Sequence, residues 1–554
     1  MSKLVRSVAV IAWIGQFANP ASASEPVPST PEIPLEQVKF FEEHIRPLLV
    51  AKCFKCHGAD KQSGELRLDS LGAMLAGGDS GASIVPGSPG ESLLIEAVRY
   101  ESYEMPPDGK LADDEIELLV KWVEIGAPWP GDSGDAPVRE TVDKITDDDR
   151  NYWCFQPLSH PQPPQSSADH WSRTDIDRFL LARLSDAGLR PQSEADRITL
   201  IRRATQLVTG LPPTLEEVDA FLSDDSPDAY RRLIERLLDS PQRGEHLARF
   251  WLDLVRYAES DGYRADGYRP QAWRYRDYVI NAFNSDKPYD LFVMEQLAGD
   301  ELDPHNPQAL AATGYLRAGI YEYNQRDAEG QWKTMLEDVT DTTADTFLAL
   351  GLGCAKCHDH KFDPILQTDY YQLQAFFSNV GLQDETPLAT PAELEKHQQQ
   401  QQAWEAATAD IRAELEAMEQ PVLERMEKEA VKMFVPELQA MWNKPAEERT
   451  AYENQIAFLI ELQVIDKWKS LDSAFKNEAK EKRDALREQL KAFDELKPSP
   501  LPTGLTVTDI APDPSPLYVP GKSRLGEMVP AFLTVLGDEP PVIAPTEASP
   551  QSTG

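Results

Sequence analysis

Apolar positions in the first hundred or so residues fall into two helical stripes separated by a glycine-rich middle. Phe41, Ile45, Leu48 and Leu49 share one face of a segment that runs straight into Cys53. Ile116, Leu119, Val120 and Val123 repeat the pattern in a segment that opens near Asp113, and Gly126 and Pro128 end it. This spacing predicts a small helical unit over 35–130. Residues 131–172 are acidic and proline-rich and read as a linker, with one short strand at Tyr152–Phe155 whose Trp153 and Phe155 favour burial. A second helical unit follows over 173–383. There Thr214 with Glu217 forms a capping box, and Ser226-Pro227 sets a proline at the first position of a helix. Residues 393–496 are rich in Glu, Lys, Gln and Ala, with Trp404, Ile411, Leu415, Met418 and Val422 at mostly three-four spacing. They predict a long helical hairpin, coiled-coil-like, interrupted by Pro421 and Pro436 and serving as a solvated arm. Residues 498–554 read as a loop-rich tail with two short strands. The fold class is therefore mainly α, in several parts.

Length agrees with that division, since 554 residues exceed what one core holds and suggest about three folded units. Charge narrows the partners. With 93 acidic against 55 basic residues and a net charge of -38, the chain is no ligand for nucleic acid or an anionic membrane surface. It favours a basic partner. Five cysteines are too few for a disulfide scaffold in a chain this long. Lys3 and Arg6, an apolar run from Val8 to Phe17 and Ala21-Ser22-Ala23 read as a secretory leader over 1–23, cut after Ala23. They predict a periplasmic or otherwise exported protein. No later segment is long and apolar enough to span a bilayer.

Export changes the meaning of two short sequences. Cys53-Phe54-Lys55-Cys56-His57 and Cys354-Ala355-Lys356-Cys357-His358 each fit the attachment pattern for haem c. Chance would supply on the order of 10⁻³ such matches in a chain of this composition. Two thiols three positions apart reach the two vinyl groups of one porphyrin, and the next histidine then lies under the iron. A Cys₄ zinc site built from both pairs would leave the paired histidines unexplained. A redox disulfide would expect a strand-to-helix context that neither pair has. Cys154 has no partner and reads as a small buried apolar residue. For the first haem the distal ligand is Met105, in a loop that Pro106 and Pro107 stiffen, with Met74 as the alternative. His/Met ligation raises the potential and leaves no open site, which suits electron transfer. For the second, the distal ligand is unknown: His360, His246, His305, Met294 and Met335 are candidates, and an open position is another.

The segments Ile45–Gly58, Glu104–Pro128, Tyr152–Pro157, Asp177–Phe221, Gly244–Tyr263, Trp273–Leu302 and Thr342–Ile365 carry a resemblance. Leu207-Val208-Thr209-Gly210-Leu211-Pro212-Pro213 and Cys357-His358-Asp359-His360-Lys361-Phe362-Asp363-Pro364 are its most specific strings. Through them the chain resembles the planctomycete-type cytochrome c proteins. The resemblance implies a small class I-like cytochrome c domain at 35–130, followed by a domain of unknown biochemical function that holds the second attachment sequence. It implies Cys53, Cys56, His57 and Met105 at the first haem and Cys354, Cys357 and His358 at the second. Such chains usually continue into a further C-terminal domain, which here would be missing or a separate partner chain. The expected function is an exported dihaem electron carrier with a basic redox partner. The alternative is a haem-dependent redox enzyme acting on an unidentified substrate, carbohydrate-related among the options, in the second domain. Trp251–Tyr257 and Ser260–Tyr263 motivate it, although Asp253 and Arg256 could simply pair on a helix.

Overall fold

The computed structural model describes residues 33–542 except 60, 79–80, 102, 131–144, 166–168, 263–265, 322–325, 512–513, 521, 523–524 and 538–540. The leader expected at 1–23 lies outside the described residues, as does the start of the linker, 131–144. The chain divides into two compact units, 1–138 and 139–554.

In the first unit, Leu35–Phe40, a π-type turn at Phe41–Ile45 and Arg46–Lys52 follow one another without a break and deliver the chain to Cys53. Their apolar stripe is buried, and Phe41 sits 4.6 Å from Trp129 and 5.9 Å from Trp122 between ring centroids. The helix Asp113–Glu124 closes the core with Ile116, Leu119, Trp122 and Val123. Trp122 Nε1 donates to Pro128 O at 3.0 Å, so the chain that leaves this helix folds back against it. Between these helices lie the short helices Leu71–Ala76 and Leu93–Arg99. The unit is a small all-helical core wrapped around one cleft.

The second unit is mainly helical as well. Its main core joins the helices Pro241–Leu254, Trp273–Asn284, Ala328–Thr343 and Ala451–Trp468 through Trp251, Tyr275, Tyr278, Trp332, Val339, Ile456 and Ile460. The helices Arg197–Thr209, Leu215–Ser223 and Ala229–Leu238 form a satellite core around Ile201, Phe221 and Leu233. Thr214 and Glu217 cap their second helix reciprocally. The third starts at Ala229, two residues after Pro227, because Asp228 takes the cap position and pairs with Arg231 and Arg232.

Four expectations are corrected here. Tyr152–Phe155 is no strand: Trp153–Phe155 is a single 3₁₀ turn, Trp153 is 77% exposed and only Phe155 packs inward. The arm is not a solvated hairpin. Its helix Ala451–Trp468 packs inward, and Ile456, Leu459, Ile460 and Val464 complete the main core. Ala409–Val431 runs through Pro421 without ending, whereas the helical run does break before Pro436, which opens the next helix, Pro436–Asn443. Arg483, 2% exposed, pairs with Glu419 and Asp472 and ties Asn477–Lys491 to Ala409–Val431. The tail is also bound in. Its strand Thr503–Asp509 pairs antiparallel with Val380–Pro387, with Leu382 opposite Val507, across the position where the helical unit was expected to end. Of a second tail strand the described residues show one isolated bridge, Tyr518 with Glu527.

Candidate functional site

The first attachment sequence is a tight turn. Cys56 N–H and His57 N–H both donate to Cys53 O, at 3.1 and 3.0 Å. The turn brings Cys53, Cys56 and His57 to one wall of a cavity with about 1000 Å³ of atom-free space, part of it open to solvent. Leu66, Leu68, Leu93, Leu94, Ala97 and Val98 make most of the lining apolar. His57 Nδ1 donates to Leu66 O at 3.3 Å, which fixes the tautomer and leaves Nε2 unprotonated for a metal. The segment bearing Leu66 is held by close backbone packing. A Cβ on Gly78 would stand 2.3 Å from Gly64 O and 2.9 Å from Leu66 N, so only glycine fits there. Burial pushes the Cys53 thiol up to about 11, and Cys53 is 8% exposed.

Met105 lines the same cavity, with Tyr103, Pro106 and Pro107. Met74 is fully buried in the helical core beside Ile84 and Leu68. The structure thus brings Cys53, Cys56, His57 and Met105 to one cavity and puts Met74 elsewhere. The lining fits a porphyrin: two thiols, an imidazole with a free Nε2, a thioether and an apolar enclosure. Lys52, Tyr103 and the Leu66 carbonyl also belong to this site, and no local pattern marks them. A backbone acceptor leaves no mark in side-chain identity.

The second attachment sequence sits on a 3₁₀ turn, Leu352–Lys356, followed by Cys357 and His358. Leu352 and Ala355 point inward to a core with Tyr370, Met528 and Val535, while Cys354, Cys357 and His358 are exposed. The reacting groups therefore present an open face. The turn is pinned from beneath. Gln367 Nε2 and Tyr371 Oη both donate to Lys356 O at 3.0 Å, and Lys356 Nζ lies 3.2 Å from Glu337. Gln367 and Tyr371 are four residues apart on one helix face, a spacing that sequence could have offered. His358 Nδ1 lies 2.7 Å from Asp359 O and donates to it.

The candidate distal ligands scatter. His360 Nδ1 accepts the Asp363 amide at 2.8 Å, so its ring is engaged in a local turn and its Nε2 carries the proton. His246 lies edge-on to Phe250, Met335 packs in the main core, and Met294 and His305 are exposed. Arg256 pairs with Asp338, not with Asp253. Asp253 instead lines a charged cleft with Glu245, Arg249, Tyr257 and Arg276. Cys154 is exposed, not buried. No helix among the described residues is long and apolar enough to cross a membrane.

No curated protein and no solved structure matches the chain. Two families do. Residues 53–109 match planctomycete cytochrome C, a stretch that begins at the first attachment cysteine and takes in Met105. Residues 175–381 match a protein family of unknown function, DUF1549, and include the second attachment sequence. The chain therefore carries a planctomycete cytochrome C domain, which implies covalently bound haem c, followed by the DUF1549 domain.

Proposed function

We propose that the protein is an exported dihaem c-type cytochrome that transfers electrons. The observation that carries this reading is the cavity of the first unit, where Cys53, Cys56, His57 and Met105 line one apolar enclosure. Haem c supplies reversible one-electron chemistry there. Cys53 and Cys56 would anchor it, His57 Nε2 and Met105 Sδ would be its iron ligands, and Leu94, Ala97 and Val98 would limit the access of water. A low dielectric and a thioether ligand together favour the ferrous state and a high potential. The second attachment sequence, with Cys354, Cys357 and His358 on an exposed face, is the second haem site. Its openness suits exchange with a partner. The acidic surface favours a basic one.

Acid-acetone extraction of the purified chain tests this directly. Two haems should stay on the protein, and a Cys354→Ala/Cys357→Ala double variant should keep one. Extractable haem, or bound zinc in place of haem, refutes the reading. A second reading, a redox enzyme, is favoured by the charged cleft of Glu245, Arg249, Asp253, Tyr257 and Arg276, of about 610 Å³. In that case the second haem is high-spin and its reduced spectrum shifts on adding carbon monoxide; two low-spin haems favour the carrier.

A further inference from the structure

The loop that bears Met105 hangs from the helix Leu93–Arg99 by two hydrogen bonds. Met105 N–H donates to Ala97 O at 3.2 Å, and Tyr100 Oη donates to Pro106 O. The two bonds flank the Met105 side chain on either side along the backbone. Leu93, Leu94, Ala97 and Val98 of that helix line the cavity, so helix, tyrosine and methionine loop form one wall.

Tyr100 closes the helix in the left-handed region, at φ 65° and ψ 32°. Glycine ordinarily takes that position, because a Cβ there meets the backbone. An aromatic residue held in this conformation is a genuine outlier. The strained backbone sends the phenol across to the far end of the loop, where its hydroxyl reaches the Pro106 carbonyl. We propose that Tyr100 is a positioning residue for Met105, locking its loop so that the thioether stays at the cavity and resists displacement by competing ligands. This rests on the reading that Met105 binds the first haem. A thioether is a weak neutral ligand, so its occupancy depends on how little freedom the loop gains by letting go.

The test uses the full haem-loaded chain in its ferric form, with imidazole as the competing ligand. The near-infrared band that reports methionine on ferric iron is followed through the titration. Tyr100→Phe removes only the hydroxyl and should keep the band in the absence of imidazole. Its half-displacement concentration should fall roughly two- to tenfold, the effect of one hydrogen bond. Tyr100→Gly relieves the backbone and loses the same bond, so it should fall as far while leaving thermal stability no lower than in Tyr100→Phe. A purely structural role would lower the melting temperature and leave the titration where it was. Unchanged imidazole displacement in Tyr100→Phe overturns the proposal and leaves Met105 ligation standing. Survival of the band in Met105→Ala overturns both.

Discussion

On the proposed reading Cys53 forms a thioether, yet the folded unit buries its sulfur. Desolvation raises the thiol from 9.0 to about 11. At pH 8 the thiolate fraction then drops from about 10⁻¹ to about 10⁻³, so alkylation should slow about a hundredfold before restricted access slows it further. The perturbation is iodoacetamide added to the haem-free chain, and the assay is peptide mass spectrometry over time. Cys154, Cys354 and Cys357, all exposed, should label first, and Cys53 last. Denaturant should equalise them. The same shift carries a stability cost with a definite sign. The folded state keeps its proton above 9.0 while the unfolded chain loses it, so stability is intact below pH 9 and falls as pH rises toward 11, by at most ~2.7 kcal/mol. On the proposed reading, haem attachment is then expected to be faster before this unit closes, while the thiol is still open to solvent. Labelling of Cys53 at the rate of Cys354 in the folded haem-free chain would refute both the burial argument and the order of events drawn from it.

Other consequences are independent of haem chemistry in the first unit. Asp261, Arg269 and Arg317 are each no more than 4% exposed, with Arg269 2.7 Å and Arg317 3.7 Å from the carboxylate. Asp261→Asn should destabilise the second unit by about 3–5 kcal/mol in urea unfolding, because it takes the ion-pair partner from the buried Arg269, while Arg317 keeps Asp384 at 2.7 Å. Tyr371→Phe combined with Gln367→Leu strips Lys356 O of both donors and should cost about 1–3 kcal/mol, seen as faster amide exchange across residues 352–358. Asp300 is raised from 3.8 to about 7, chiefly by burial and then by the carboxylates of Glu301 and Asp509. Its folded state holds the proton, so stability declines between pH 4 and 7, by at most about 4 kcal/mol, and Asp300→Asn should flatten that part of the curve.

The sequence by itself determined the parts of this protein whose signals are local. Helical stripes such as Phe41–Leu49 and Ile116–Val123, the Thr214–Glu217 cap and the two attachment sequences need only near neighbours to be read. Met105 belongs with them, because Pro106 and Pro107 mark its loop. Tertiary structure decided what depends on contacts far apart in the chain. Nothing near Ile456 says that its helix completes a core begun at Trp251, and nothing near Val507 says that it pairs with Leu382. The contrast between the two attachment sequences is of the same kind. Both have the spacing of thiols and imidazole, but Cys53 turns toward a cavity built by Leu66, Leu94 and Val98, whereas at the second sequence Leu352 and Ala355 turn inward and the cysteines face outward. Spacing sets which groups can reach one porphyrin; burial, which depends on elements distant in the chain, sets whether that porphyrin is enclosed.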